Sequence, residues 1–334
     1  MARPKVLSTL ALDPAGEHLL APVAELVVPA DGSASILKQM IGDADVLIVR
    51  TQLPPDLLDR PHRLLAIVRH GSGVDLIPMQ AATAQAIPVA NVPGTNTDTV
   101  AEYCIGGVLA LARQFVPMHT ELFSKGWTDS RRHAGKTIEL FGRTIGIIGA
   151  GAIGLRLGEI CHHGFRMRVL GHRRQSAALP AFIESVDIDT LLAQSDIVSL
   201  NCPLTAETKH LIDERRLRLM KPNAILVNAA RGAVTDETAL ARALRERWIA
   251  GAVIDVYAEQ PLRRDHPFLS LDNVLLTPHA AGLTQEANRR TSEGTAHEVL
   301  RILRGARPLN LVNPEIWEKS VLGQAVARRG ASPV

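Results

Sequence analysis

The chain has 334 residues, enough for two hydrophobic cores rather than one. Hydrophobic residues make up 46% of it and aromatics only 3%, so those cores are expected to be built from Ala, Val, Leu and Ile. The formal net charge of +3 comes from nearly balanced acids and bases without a block of like charge. That pattern argues against a nucleic-acid tail or a membrane-binding patch and is satisfied by a small anionic ligand.

The N-terminal "MARPKVLSTLALDPAG" reads as a first strand, since Thr9, Asp13 and Pro14 break its apolar stretch too early for a signal peptide or a membrane span. Short apolar runs then alternate with helical patterns. They are "KVLSTLAL", "ELVVPA", "DVLIVR", "LLAIVR" and "IPVANVP" in the first part. "TIGIIGA", "MRVLGH", "DIVSLN", "AILVNA", "AGAVIDVY" and "NVLLTP" follow in the second. Alternation of this kind predicts α/β architecture with parallel sheets, because every parallel connection needs a crossover. Eleven candidate strands are many for one sheet, so two doubly wound domains are expected. A long helix is predicted over "TNTDTVAEYCIGGVLALAR" between the two strand sets, with an apolar part, 101–112, that would suit a subunit interface as well as a core. A polar, irregular stretch follows over roughly 117–140. The helical pattern "TQEANRRTSEGTAHEVLRILRG" is expected to return the chain to the first domain. The expected division is therefore a discontinuous domain of residues 1–98 and 288–334 around an inserted one of 99–287. Cys104, Cys161 and Cys202 show no CxxC pairing and no metal-ligand spacing; no metal is expected, and a cytoplasmic protein is.

"TIGIIGAGAIGLRLGEI" is a strand, then Gly149-x-Gly151-x-x-Gly154, then a helix. A dinucleotide site needs these glycines for a tight turn, for close backbone approach to a pyrophosphate, and for close packing of helix on strand. The helix start, from Ala152 and Ile153, supplies amides and the positive end of the helix dipole. The next strand ends on His172, Arg173 and Arg174 where an acid would bind the ribose 2′-hydroxyl. Arginine there suits a 2′-phosphate, which predicts NADP ahead of NAD.

Three later strands end in polar residues, in "VNAARGA", "DVYAEQP" and "TPHAAG". Ligands of open α/β sheets gather outside such carboxyl ends. Arg231 carries a fork that takes a carboxylate bidentately, and His279 can exchange a proton with a carbonyl or carbinol oxygen. Together with "RHGSGVD", "NVPGTNTDTVAE", "SDIVSLNCPLTAET", "DVY..QPL...HP" and "VLLTPHAAG", the chain from about residue 45 to 315 resembles the D-2-hydroxyacid dehydrogenase family. That resemblance implies a flavodoxin-like substrate domain built from both chain ends, an inserted Rossmann domain, and a homodimer. It further implies that Arg231 binds and polarises the substrate, that His279 is the general acid of reduction, and that Ser72, Gly73 and Asn96 bind substrate. Cys202, Pro203, Thr208, Ala229, Asp255 and Ala281 would join the glycine loop in holding the cofactor, Asp255 at the nicotinamide amide.

One departure stands out. Family members that oxidise hydroxyacids carry glutamate immediately before the proline of "DVYAEQP", whereas here Gln260 holds that place and Glu259 precedes it. In an extended segment adjacent side chains diverge, so register favours Gln260 as the partner of His279. The same resemblance finds glutamine there in formate dehydrogenases. The expected function is reduction of a glyoxylate- or hydroxypyruvate-like 2-oxoacid with NADPH. The alternatives are formate oxidation and a non-catalytic dinucleotide-sensing scaffold.

Overall fold

The computed structural model describes residues 3–31, 33–174 and 178–330, which fall into two compact units. One comprises residues up to Asn96 together with those from Leu283 onward, and the other spans Thr97–Gly282.

The first unit holds a five-stranded, wholly parallel sheet of β1 (Lys5–Ser8), β2 (Glu25–Val27), β3 (Val46–Val49), β4 (Ala66–Arg69) and β5 (Val89–Ala90), in the order β2-β1-β3-β4-β5. This is the flavodoxin-like order. The central β3 is buried along its whole length, as expected of a strand covered on both faces. The helix Gln285–Leu303 packs Ala296, Val299 and Ile302 into this unit's core beside Val6, Val46 and Val68. Thr284 caps that helix by accepting from Ala287 N–H at 3.1 Å. Asn313 then ties the chain to β5, accepting from Val89 N–H at 2.8 Å.

The second unit holds seven parallel strands: β6 (Thr144–Ile148), β7 (Arg168–His172), β8 (Ile183–Ser185), β9 (Ile197–Leu200), β10 (Ile225–Asn228), β11 (Gly251–Ile254) and β12 (Val274–Leu276). Their order, β12-β11-β10-β9-β6-β7-β8, is that of a Rossmann sheet extended by one strand. Chain direction of the sheet order reverses between β6 and β9, which is where such folds bind ligands.

All eleven expected runs contain a strand, and β8 is an additional one. The helix Thr97–Ala112 is a core element of the second unit: Val100, Ala101, Cys104, Val108 and Ala112 are buried. Gly107 lets it approach the sheet, since a Cβ there would lie 2.6 Å from Val253 Cγ1. Its apolar face therefore belongs to this core. The stretch expected to be polar and irregular is largely helical instead, as Phe115–Ser124, Trp127–Arg131 and a 3₁₀ turn at Arg132–Lys136. No helix among the described residues is long and apolar enough to cross a membrane.

Candidate active site

The glycine turn follows β6, whose last four residues are buried. Gly149 has φ +96°, and a Cβ there would sit 2.5 Å from Cys202 N and 2.6 Å from the Asn201 carbonyl carbon, so the turn closes against the end of β9 only with glycine. Gly154 meets the opposite constraint, with a Cβ position 2.6 Å from Gly149 O and 2.7 Å from Ile147 Cγ2. A Cβ at Gly151 would meet nothing within 4 Å. That open side lies at the start of the helix Ala152–Phe165, which has Gly151 at its N-cap and no capping side chain. Its first-turn amides, including those of Ala152 and Ile153, are donors suited to phosphate oxygens. Tight turn, open approach and close packing are thus divided among three glycines, and the geometry fits a dinucleotide pyrophosphate.

The end of β7 is joined to this turn, because His172 O accepts from both Gly149 N–H (2.9 Å) and Ala150 N–H (3.2 Å). The His172 ring donates from Nδ1 to Val186 O at 3.2 Å. Arg173 is half-buried and Arg174 is exposed, 4.0 Å from the equally exposed Glu207. An exposed pair at that distance restrains the guanidinium little. Residues 175–177, just beyond, lie outside the described part of the chain.

Beyond β9, Cys202 is buried, which raises its thiol pKa, and Pro203 begins a turn closed by Thr208, whose hydroxyl donates to Pro203 O at 2.6 Å. Beyond β10, the buried Asn228 organises the Ala229–Arg231 loop. Its Oδ1 accepts from Ala230 N–H (3.1 Å) and its Nδ2 donates to Arg231 O (3.0 Å). Gly232 then presses this loop onto the next one: a Cβ there would overlap Tyr257 C at 2.0 Å and Ala258 N at 2.2 Å.

The histidine loop after β12 is held by Asp255 at the end of β11. The Asp255 carboxylate is buried and accepts from Thr277 Oγ1 (2.6 Å), Ala280 N–H (2.7 Å) and Ala281 N–H (2.9 Å). Its carbonyl accepts from His279 N–H at 2.8 Å. His279 itself has φ +55°, a left-handed conformation that costs a non-glycine residue roughly 1–3 kcal/mol and needs such anchoring. The Thr277 hydroxyl, having given its proton to Asp255, accepts from Tyr103 Oη at 2.5 Å, and Tyr257 Oη donates to Thr277 O at 2.9 Å.

Gln260, not Glu259, meets the histidine: its Oε1 lies 2.9 Å from His279 Nδ1. The amide is oriented by its other end, because Nε2 donates to Tyr257 O at 3.2 Å, and a carbonyl can only accept. Oε1 therefore faces the ring, and His279 Nδ1 must carry a proton in this bond. A neutral His279 then has its lone pair at Nε2, and a charged one donates from there.

Arg231, Gln260, Asp255, His279, Ala281 and the cofactor-loop residues are thus gathered at the carboxyl ends of successive strands of one sheet. Ser72, Gly73 and Asn96 belong to the other unit. There the loop after β4 is shaped by Arg69, which donates from Nε to Gly73 O at 2.8 Å and from Nη1 to Val49 O at 2.9 Å and to His70 O. Asn91 Nδ2 donates to Ser72 O at 2.7 Å. Both carbonyls are thus engaged, and the loop turns at Gly71 with φ +121°. Among the described residues the Ser72 and Gly73 N–H groups have no partner. Asn96 ends this unit just before the helix that starts at Thr97. Reading of the sequence alone did not single out Asn228, Gly232, Tyr103, Tyr257 or Thr277, which hold the loops rather than carry a motif.

These features define a dinucleotide-binding α/β enzyme with an arginine and a histidine beside the cofactor site. The profile of the NAD binding domain of D-isomer specific 2-hydroxyacid dehydrogenases matches residues 105–281. A glyoxylate reductase of Thermofilum pendens is 38% identical over 330 residues, covering 95% of this chain and 96% of the relative. A D-3-phosphoglycerate dehydrogenase of Methanocaldococcus jannaschii is also 38% identical, over 96% of this chain and 61% of its own length. Among solved structures, the NADPH-dependent glyoxylate/hydroxypyruvate reductase of Sinorhizobium meliloti, in complex with NADP and malonate, superposes with a TM-score of 0.84 at 26% identity, covering 94% of this chain and 98% of that one. The chain belongs to the D-isomer specific 2-hydroxyacid dehydrogenase family. It is an oxidoreductase that transfers a hydride between a nicotinamide dinucleotide, NADP or NAD, and a 2-oxoacid or 2-hydroxyacid.

Proposed function

We propose that the protein reduces a small 2-oxoacid of the glyoxylate or hydroxypyruvate kind with NADPH. The observation that carries this reading is that one segment, Tyr257–Gln260, supports both the Arg231 loop, through Gly232, and the His279 ring, through Gln260. The bound dinucleotide supplies the hydride. Arg231 takes the substrate carboxylate and draws electron density toward the 2-oxo oxygen, and His279 gives that oxygen a proton from Nε2. The products are a 2-hydroxyacid and the oxidised cofactor, and the histidine recovers its proton from solvent. Ser72 and Gly73 amides would take a carboxylate oxygen, with Asn96 as a further substrate contact.

For the cofactor, the glycine loop would hold the pyrophosphate, Cys202, Pro203, Thr208 and Ala229 the adenosine side, and Asp255 and Ala281 the nicotinamide end. Arg173 and Arg174 support NADPH over NADH. Replacing both with alanine should raise the KM for NADPH on the order of tenfold or more, as loss of charge-assisted hydrogen bonds does, while leaving that for NADH unchanged. Equal changes for the two cofactors would remove the arginines from 2′-phosphate recognition. We further infer a homodimer, supported by Phe115, Phe123, Trp127 and Phe141, which are 52%, 81%, 69% and 63% exposed within one stretch of chain. Three buried, unpaired cysteines support a cytoplasmic location.

The test is absorbance at 340 nm with NADPH and a panel of glyoxylate, hydroxypyruvate, pyruvate and bulkier 2-oxoacids. Oxidation with glyoxylate or hydroxypyruvate is the expected result. Silence across the panel, with NADH also tried, would overturn it. Formate oxidation is the second reading, favoured by the Gln260–His279 hydrogen bond; reduction of NAD(P)⁺ by formate would establish it. Cofactor binding with no turnover of either kind would leave a dinucleotide-sensing scaffold.

A further inference from the structure

Gln260 orients His279, yet Gln260 sits on an exposed loop that needs its own support. The support comes from Glu237, the first residue of the helix Glu237–Arg245. Glu237 Oε1 accepts from Ala258 N–H at 2.8 Å, two residues before Gln260. Its Oε2 lies 3.4 Å from His266 Nε2. The His266 tautomer is fixed from the other side, where Nδ1 accepts from Phe268 N–H at 3.3 Å, so Nε2 carries the proton offered to Glu237. Phe268 is fully buried, its ring 4.7 Å from that of His266, and this anchors the imidazole in the core. The Glu237 and His266 side chains are only 19% and 16% exposed, so the pair is sheltered where water competes least.

We propose that Glu237, held by His266, is a positioning residue for His279. Glu237 fixes the Ala258 amide, and that sets the Tyr257 carbonyl on which Gln260 Nε2 rests and the height at which Gln260 Oε1 meets the imidazole. Removing this brace lets the Gln260 amide turn over and present Nε2 to the ring, which would reverse the tautomer. The inference rests on the reading of His279 as the proton donor to a 2-oxoacid.

The experiment is a double-mutant cycle on the full chain with glyoxylate and NADPH. Glu237→Ala should lower kcat on the order of ten- to a hundredfold, the loss expected from a small misplacement of a reacting group, with the KM for NADPH unchanged. Glu237→Gln, which keeps an oxygen for Ala258 N–H, should recover part of that loss. In a Gln260→Ala background, Glu237→Ala should cost nothing more. Losses that multiply, or an unchanged kcat in Glu237→Ala, would overturn the brace. Should wild-type protein turn over no 2-oxoacid, the substrate reading fails. The brace is then decided by the His279 ring nitrogen NMR shifts, which should move alike in Glu237→Ala and Gln260→Ala. Shifts that stay at their wild-type values in Glu237→Ala overturn it.

Discussion

Two histidines end up on strand-end loops of this chain in opposite circumstances. His279, after β12, is exposed and meets a neutral amide. His70, after β4, is largely buried, and its pKa falls to about 3, first from burial and then from the charges of Arg50 and Arg69. Its Nε2 lies 2.9 Å from Ser292 Oγ, which already accepts from Asp13 N–H at 3.0 Å. A hydroxyl that accepts one bond can still donate to a ring lone pair or accept from a ring N–H, so Ser292 serves either tautomer of the neutral ring. The difference is that burial and the charges of Arg50 and Arg69 disfavour a proton on His70, whereas the exposed His279 ring meets the neutral amide of Gln260. Residue type does not separate the structural histidine from the proposed proton donor; surroundings do.

Replacing His279 sharpens this contrast most. His279→Asn should lower kcat for 2-oxoacid reduction by roughly 10²- to 10⁴-fold, the usual worth of a positioned acid. Asparagine tolerates left-handed φ, so the melting temperature should hold. A variant that keeps most of its turnover would show the proton coming from elsewhere.

His70 should matter to stability instead. An unfolded chain takes up a proton at its histidines near pH 6.5, while folded His70 stays neutral down to about 3. The unfolded state therefore binds more protons across that window, so the contribution of His70 is fully present above pH 6.5 and is lost as the pH falls toward 3. Denaturant unfolding of wild type should lose about 1.4 kcal/mol more per pH unit than His70→Asn does over the middle of that range, where the unfolded histidine is charged and folded His70 is not. Parallel slopes for the two proteins would mean that His70 is charged in the folded state.

How far these features were legible in the sequence depends on the range of the interaction behind each. Strands such as β3 and β10 are buried, continuous apolar runs, and the eleven strands read directly all lie in apolar runs of the sequence. β8 could not be read, because its three residues, Ile183, Glu184 and Ser185, form no apolar run. The helices over 115–131 were hidden because Phe115, Val116, Phe123 and Trp127 point to solvent and form no buried stripe. The glycine turn, Arg231 and His279 are local motifs with fixed spacing. Tyr103, 174 residues away from the Thr277 it touches, leaves no spacing to read. The same is true of Glu237, which reaches the Gln260 segment and His266 only through the fold.

The smallest expected change concerns the partner of His279. Gln260 brings the ring a neutral acceptor, with no charge of its own to favour the protonated form. Gln260→Glu places a carboxylate oxygen at the same 2.9 Å position, which favours the imidazolium by charge as well as by hydrogen bond. The reductive pH profile should then extend upward by about one unit or more, with little change in the acid plateau. Tyr257 O, which now receives Gln260 Nε2, would face a carboxylate oxygen instead, and that repulsion limits the gain. Profiles of kcat/KM for glyoxylate in the two proteins measure the displacement directly. Superimposable profiles would mean that the residue before Pro261 does not control the proton on His279, and the contrast with His70 would then rest on burial alone.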